Sequence, residues 1–114
     1  MLPIIQAVRQ SEKEISEGRT WSGENAAKRA LQLVENSLDS GDLNLVDALE
    51  IKNQIAELYF NGRLFQQVEM LDEEIENELA VLEDDDERHG FRTQVLRRRA
   101  IIDELEGFRQ RTTG

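Results

Sequence analysis

The chain contains no cysteine. That excludes disulfide staples, thiolate metal sites and a thiol nucleophile, and it suits a reducing, cytoplasmic setting. Its single histidine, His89, leaves Ser–His–Asp catalysis without a serious basis. Asp86-x-x-His89 imitates half of a di-iron carboxylate site, but those bundles take such a motif from each of two helices. Here it falls in an expected turn beside Gly90, where a surface histidine is the ordinary reading. One proline and seven glycines punctuate 114 residues, far fewer turn residues than a β-rich fold uses. No apolar run approaches the roughly 20 residues that span a bilayer. The apolar opening, Met1 to Val8, meets Arg9, Glu12, Lys13 and Glu14 too soon for a signal h-region. Neither a phosphate-binding glycine loop nor a dinucleotide fingerprint is present. No catalytic, cofactor-binding or metal-ligating residue is assigned on these grounds.

What remains is the composition of amphipathic helices: 39% apolar and 33% charged residues, enough for one domain with a genuine core. The first helix is expected from Leu2 to Ser16, with Pro3 in its first turn and Gly18 as its stop. The second is expected to start at a Ser22 cap, with Trp21 stapled against Ala26 or Ala27. Ala27, Leu31, Val34 and Leu38 mark its stripe until Asp39-Ser40-Gly41-Asp42 breaks it. The third runs from an Asn44 cap to Phe60, with Ala48, Ile51, Ile55 and Leu58 inward.

Asn61-Gly62 leaves so short a connection that the third and fourth helices must pair as an antiparallel hairpin. The fourth is expected to be the longest, from Arg63 to Glu83, with Leu64, Val68, Leu71, Ile75, Leu79 and Leu82 in a near-heptad, coiled-coil-like repeat. The fifth runs from Phe91 to Arg109, with Phe91, Val95, Ile102 and Leu105 on its apolar face and Ile101 and Phe108 beside it. The reading is therefore all-α: an antiparallel bundle of four to five helices with a long C-terminal helical hairpin, residues 1–114 as a single helical domain. The stretch Leu58–Glu74, LYFNGRLFQQVEMLDEE, faintly resembles one helix-turn-helix of a tetratricopeptide repeat. Gln67 stands where that motif has a small alanine, and no further repeat accompanies it, so the resemblance is set aside.

Charge is the most informative feature. The net charge of −10 disfavours direct contact with nucleic acid or anionic lipid. Between Asp72 and Glu87 lie ten acidic residues and no basic one, whereas Arg88 to Arg111 holds seven arginines and three acids. Folded as an antiparallel hairpin with its turn near Asp86–Gly90, the two blocks face each other. Asp84 and Asp85 then approach Arg92, and Glu78 approaches Arg98 or Arg99. Arg98 breaks the pattern, because it sits on the apolar stripe between Val95 and Ile102. A charge there is costly unless it is paired or at an edge. Arg98 is expected to mark either the point where the fifth helix leaves the core or a contact with a second chain, the dimer contact being favoured.

The aromatic pairs Tyr59-Phe60 and Leu64-Phe65 flank one tight turn, and both members of each cannot face one core. Phe60 or Phe65 is expected on a second surface. These features point to a non-enzymatic protein–protein interaction module, an adaptor, regulator or inhibitor. Its partner is another protein or a second copy in a homodimer, with no direct nucleic acid, no membrane and no cofactor. The expected partner-binding residues are Phe60, Phe65, Asp72, Glu76, Asp84, Asp85, Arg97 and Arg98. An alternative is an acidic nucleic-acid mimic that inhibits a DNA- or RNA-binding protein through the Asp72–Glu87 block. A third is a magnesium-dependent all-α nucleotide hydrolase. Its ligands would be carboxylates on adjacent helical turns, such as Glu14/Glu17, Glu73/Glu76, Glu83/Asp86 and Asp103/Glu106.

Overall fold

A computed structural model describes residues 1–113, with side chains described as far as residue 107. Among the described residues there are five helices and no strand: α1 (Leu2–Ser16), α2 (Thr20–Ser40), α3 (Leu45–Asn61), α4 (Phe65–Leu79) and α5 (Asp85–Thr113). The all-α bundle expected from periodicity is what the chain forms. Its Cα extents, 51 × 34 × 17 Å, make a flat body only about two helix diameters thick. One apolar cluster, running from Ile4 through Val34, Leu49, Ile55 and Ile75 to Ile102, draws on all five helices.

α1 carries Pro3 in its first turn. Gly18 follows it in the left-handed region (φ 85°), as a glycine stop requires. α2 starts two residues before the expected Ser22 cap. The Arg19 carbonyl accepts the Gly23 amide at 3.0 Å, while the Arg19 guanidinium is held by Glu14 and Glu17 across the turn. Helix formation thus begins as soon as the left-handed glycine has reversed the chain. Trp21 does not staple the helix; it is 75% exposed. At the far end, left-handed Gly41 closes α2, with its amide bonded to the Leu38 carbonyl.

Asn44 caps α3 as expected, its side-chain oxygen accepting the Asp47 amide at 2.9 Å. In the α3–α4 turn the left-handed residue is not the glycine. Gly62 has an ordinary negative φ, and Arg63 takes the left-handed conformation (φ 59°). What Gly62 supplies is space: a Cβ there would lie 3.2 Å from Ile15 Cγ2 of α1.

The largest departure lies in the last hairpin. α4 ends at Leu79 rather than Glu83, and α5, not α4, is the longest helix, with 29 residues. The segment expected as a turn near Asp86–Gly90 is already helical. Asp84 is the reason: its carboxylate accepts the Glu87 amide at 3.0 Å, and Asp85, Asp86 and Glu87 fill the first turn, where negative charge suits the helix dipole. Asp86 and His89 are therefore exposed helical residues, not parts of a loop. Phe108, expected beside the α5 stripe, lies outside the described side chains.

Candidate interaction site

α5 packs on α3 and α4 by a mixed apolar and ionic layer. Val95 and Ile102 are buried, and Arg98 between them is completely enclosed. Enclosure of a guanidinium demands partners for its donors, and the chain supplies them. Arg98 donates from Nη2 to Asp72 Oδ1 at 2.6 Å and from Nε to the same carboxylate. Its Nη1 reaches Asn53 Oδ1 and Glu57 Oε1, each at 2.8 Å. Arg97 also pairs with Glu57, and Asn53 donates to Gln94. Thus α3 contributes Asn53 and Glu57, α4 contributes Asp72, and α5 contributes Gln94, Arg97 and Arg98.

Burial pushes the Asp72 carboxyl upward more strongly than Arg98 draws it down. For Glu57 burial also opposes ionisation, but the bonds from Arg98 and Arg97 prevail and hold its carboxyl below the ordinary value.

A second ionic cluster lies on the other side of α4. Lys52 of α3 is buried, and its Nζ stands 2.8 Å from Glu35, 2.9 Å from Glu74 and 2.5 Å from Glu78. Burial alone would lower its pKa, yet the three carboxylates raise it well above that of a free lysine. Those carboxylates are close enough together to hold a metal ion, but the lysine ammonium fills the position such a cation would take.

The expected partner-binding residues divide accordingly. Asp72, Glu76, Arg97 and Arg98 come together along the α3–α4–α5 seam, with Arg99 bonded to Glu76 at 3.1 Å. Arg98 faces its own chain's core rather than the surface. The expected register is shifted, because the hairpin turns near residues 80–84. Arg98 therefore meets Asp72, whereas Glu78 turns to Lys52. Asp84 and Asp85 stand apart, at the start of α5, where Asp85 pairs with Arg88 at 3.2 Å rather than with Arg92. Phe60 and Phe65 sit at the opposite end of α4. Neither occupies a separate surface: both are half-buried against the core, with ring centroids 5.9 Å apart.

Sequence reasoning missed Lys52, Asn53, Glu57, Glu35 and Gln94 as partners. One signal was available: Lys52 falls on the stripe of Ala48, Ile55 and Tyr59, as Arg98 falls on the stripe of α5. Tyr59 is buried too, and its hydroxyl is pushed up to about 12, first by burial and then by the charge of Glu24.

Beyond Ile102 the α5 stripe continues to Leu105, which is 43% exposed, and Leu96 opens to solvent at 49%. A groove of about 560 Å³ separates α1 from α3, walled by Ile4, Ile5, Val8, Ile51 and Leu58. A second, of about 430 Å³, lies between α4 and α5, where Glu73 and Glu76 face Asp103 with Arg99 among them. No helix among the described residues is long and apolar enough to cross a membrane. Compared with models of known families, with curated proteins and with solved structures, the chain matches none.

Proposed function

We propose that the chain is a non-enzymatic protein–protein interaction module of the cytoplasm, an adaptor, regulator or inhibitor whose contact face is α5. The observation that carries this reading is the stripe Val95–Arg98–Ile102–Leu105. It is buried for three members and uncovered at the fourth. An apolar stripe that runs out of its own core suits a partner offering an apolar pocket. The nucleic-acid mimic needs a free row of carboxylates. Asp72, Glu74, Glu76, Glu78 and Asp85 are each paired with a lysine or arginine of the same chain, which weighs against it. Of the carboxylate pairs expected for a magnesium hydrolase, Glu73 and Glu76 face Asp103 across the α4–α5 groove, but Arg99 lies among them and pairs with Glu76, which weighs against that reading.

Capture from the native host on immobilised chain, at low and at high salt, tests the reading. The expected result is a protein retained at high salt by the unmodified chain and lost by Leu105→Asp, with no change in the variant's melting temperature. Capture indifferent to both Leu105→Asp and Leu96→Asp would remove α5 as the contact face. Salt-sensitive capture of a nucleic-acid-binding protein would favour the mimic instead.

A further inference from the structure

The cradle that α3 and α4 build for α5 is selective. It holds a buried carboxylate, Asp72, and a buried amide, Asn53, and both require an arginine donor from the helix that lies there. The hold itself is light in apolar contact. Among its described residues, α5 contributes Val95 and Ile102 as buried apolar side chains, with Phe91 half-buried against the core. Polar pairs also join α5 to α3 and α4: Gln94 with Asn53, Arg97 with Glu57 and Arg99 with Glu76.

The connection at residues 80–84, Ala-Val-Leu-Glu-Asp, has neither glycine nor proline. Ala80 is in the right-handed helical conformation (φ −62°, ψ −23°). The next two amides bond three residues back, Val81 to Glu78 at 3.2 Å and Leu82 to Leu79 at 3.1 Å. Two residues of tightened turn follow α4, and Leu82, Glu83 and Asp84 then run outside helix before α5 begins. The closed form also leaves local defects: Val81 is 69% exposed, and Arg88 Nε is buried without a partner. Straightening the segment fuses α4 and α5 into one helix over residues 65–113, on the order of 70 Å long at 1.5 Å per residue. α5 then lies beyond the reach of its own cradle.

We propose that α5 exchanges between two copies of this chain, each α3–α4 cradle receiving Arg98 from the other. Reciprocal exchange closes a two-fold dimer with the same ion pairs as the monomer and no new interface chemistry. The inference deepens the interaction reading by naming a second copy as partner, and it rests on that reading in using α5.

The absence of cysteine makes the test clean. One chain carries Asn53→Cys and a differently tagged chain carries Gln94→Cys, two positions that hydrogen-bond in the closed form. The chains are mixed, unfolded, refolded at high concentration and treated with a short bis-maleimide, which spans two thiols whose parent side chains met at their tips. The expected result is a 53–94 cross-link joining the two tags, seen at twice 13.1 kDa on a denaturing gel and confirmed by peptide mass. In parallel, the unmodified chain is followed by light scattering across concentration, because Asn53→Cys also removes an Arg98 partner. A species of doubled mass is expected there, and inserting Gly-Gly after Val81 should shift it to the single-chain mass. Single-chain mass at every concentration, or a dimer with no interchain 53–94 link, overturns the proposal. Host-protein capture that is lost with Leu105→Asp alongside either result leaves the interaction reading standing while the exchange fails.

Discussion

α1 and α2 meet through small residues in close contact, whereas α5 meets α3 and α4 through buried ions. In the first hairpin Ser11 Oγ donates to the Gly23 carbonyl at 2.7 Å, and Ala7, Ala26, Ala27 and Ala30 are buried. The absence of a side chain at Gly23 lets the backbones approach. In the last hairpin the central contact is a guanidinium enclosed by groups from two other helices. Close packing of small residues is tolerant of sequence but intolerant of added volume. A buried ion pair adds little net stability over an apolar pair of the same volume, yet it punishes every mismatch. One hairpin is thus built for permanence, and the other for selectivity of the helix it accepts.

The largest expected effect breaks that selectivity. Arg98→Met leaves Asp72 buried with its main cationic partner gone, and should cost about 3–5 kcal/mol in denaturant unfolding. The double variant Arg98→Met with Asp72→Leu should recover most of that loss, because an apolar pair of similar volume removes the orphaned charge. If the double variant is as unstable as the single one, the ion pair contributes stability outright and the contrast with α1–α2 disappears.

Lys52 offers the next test. Its folded pKa is raised, so the stability it contributes is complete below the unfolded value, about 10.4, and is lost as pH rises through the folded value. Lys52→Met should therefore cost about 1.5–3 kcal/mol, the range for hydrogen bonds to charged groups. The gap from the unmodified chain should stay constant between pH 7 and 10 and narrow only above that. Urea unfolding of both proteins at pH 7, 9 and 11 measures it. A gap that already shrinks between pH 7 and 9 would show that Glu35, Glu74 and Glu78 do not hold the ammonium charged.

On the other side of the comparison stands Gly23. A Cβ there would lie 2.4 Å from Ile15 Cγ1 and 3.1 Å from the Ser11 carbonyl oxygen. Gly23→Ala should destabilise by about 1–2 kcal/mol, overpacking outweighing the better helix propensity of alanine. Adding Ile15→Ala should not worsen the loss by the full cost of a large-to-small change, because the two substitutions share one volume. Additive losses would mean that the α1–α2 contact is not set by this approach.

The same contrast marks what the sequence made legible. Stripes such as Ala27–Val34 and Val68–Ile75 are local, recur at helical spacing and place the helices with their buried faces. The ion network is not local: Arg98 and Asn53 are 45 residues apart, and Arg98 and Asp72 are 26 apart. The misfit of Arg98 on its stripe was visible, but not whether its partners lay in the same chain. The register of the last hairpin was misplaced because an acidic run reads equally well as a loop or as the capped first turn of a helix. Asp84 decided for the second by accepting the Glu87 amide. Trp21 was misread for a related reason, since a serine after tryptophan looks like a cap until the Arg19 carbonyl is seen to start the helix earlier.

The smallest expected effect concerns the α3–α4 turn, which packs against Ile15 of α1. Arg63 holds the left-handed conformation there, while Gly62 clears the way for Ile15. A left-handed residue with a Cβ is strained by about 1–2 kcal/mol. Part of that relief is cancelled in Arg63→Gly by the larger entropy of the unfolded chain. The net expectation is a gain of about 0.5–1 kcal/mol, read as a higher urea midpoint at unchanged slope. Gly62→Ala at the neighbouring position should move the midpoint the other way, because its Cβ meets α1. If Arg63→Gly lowers the midpoint, the arginine side chain makes a contact that outweighs its backbone strain, and the turn belongs with the ionic half of the molecule rather than with the close-packed half.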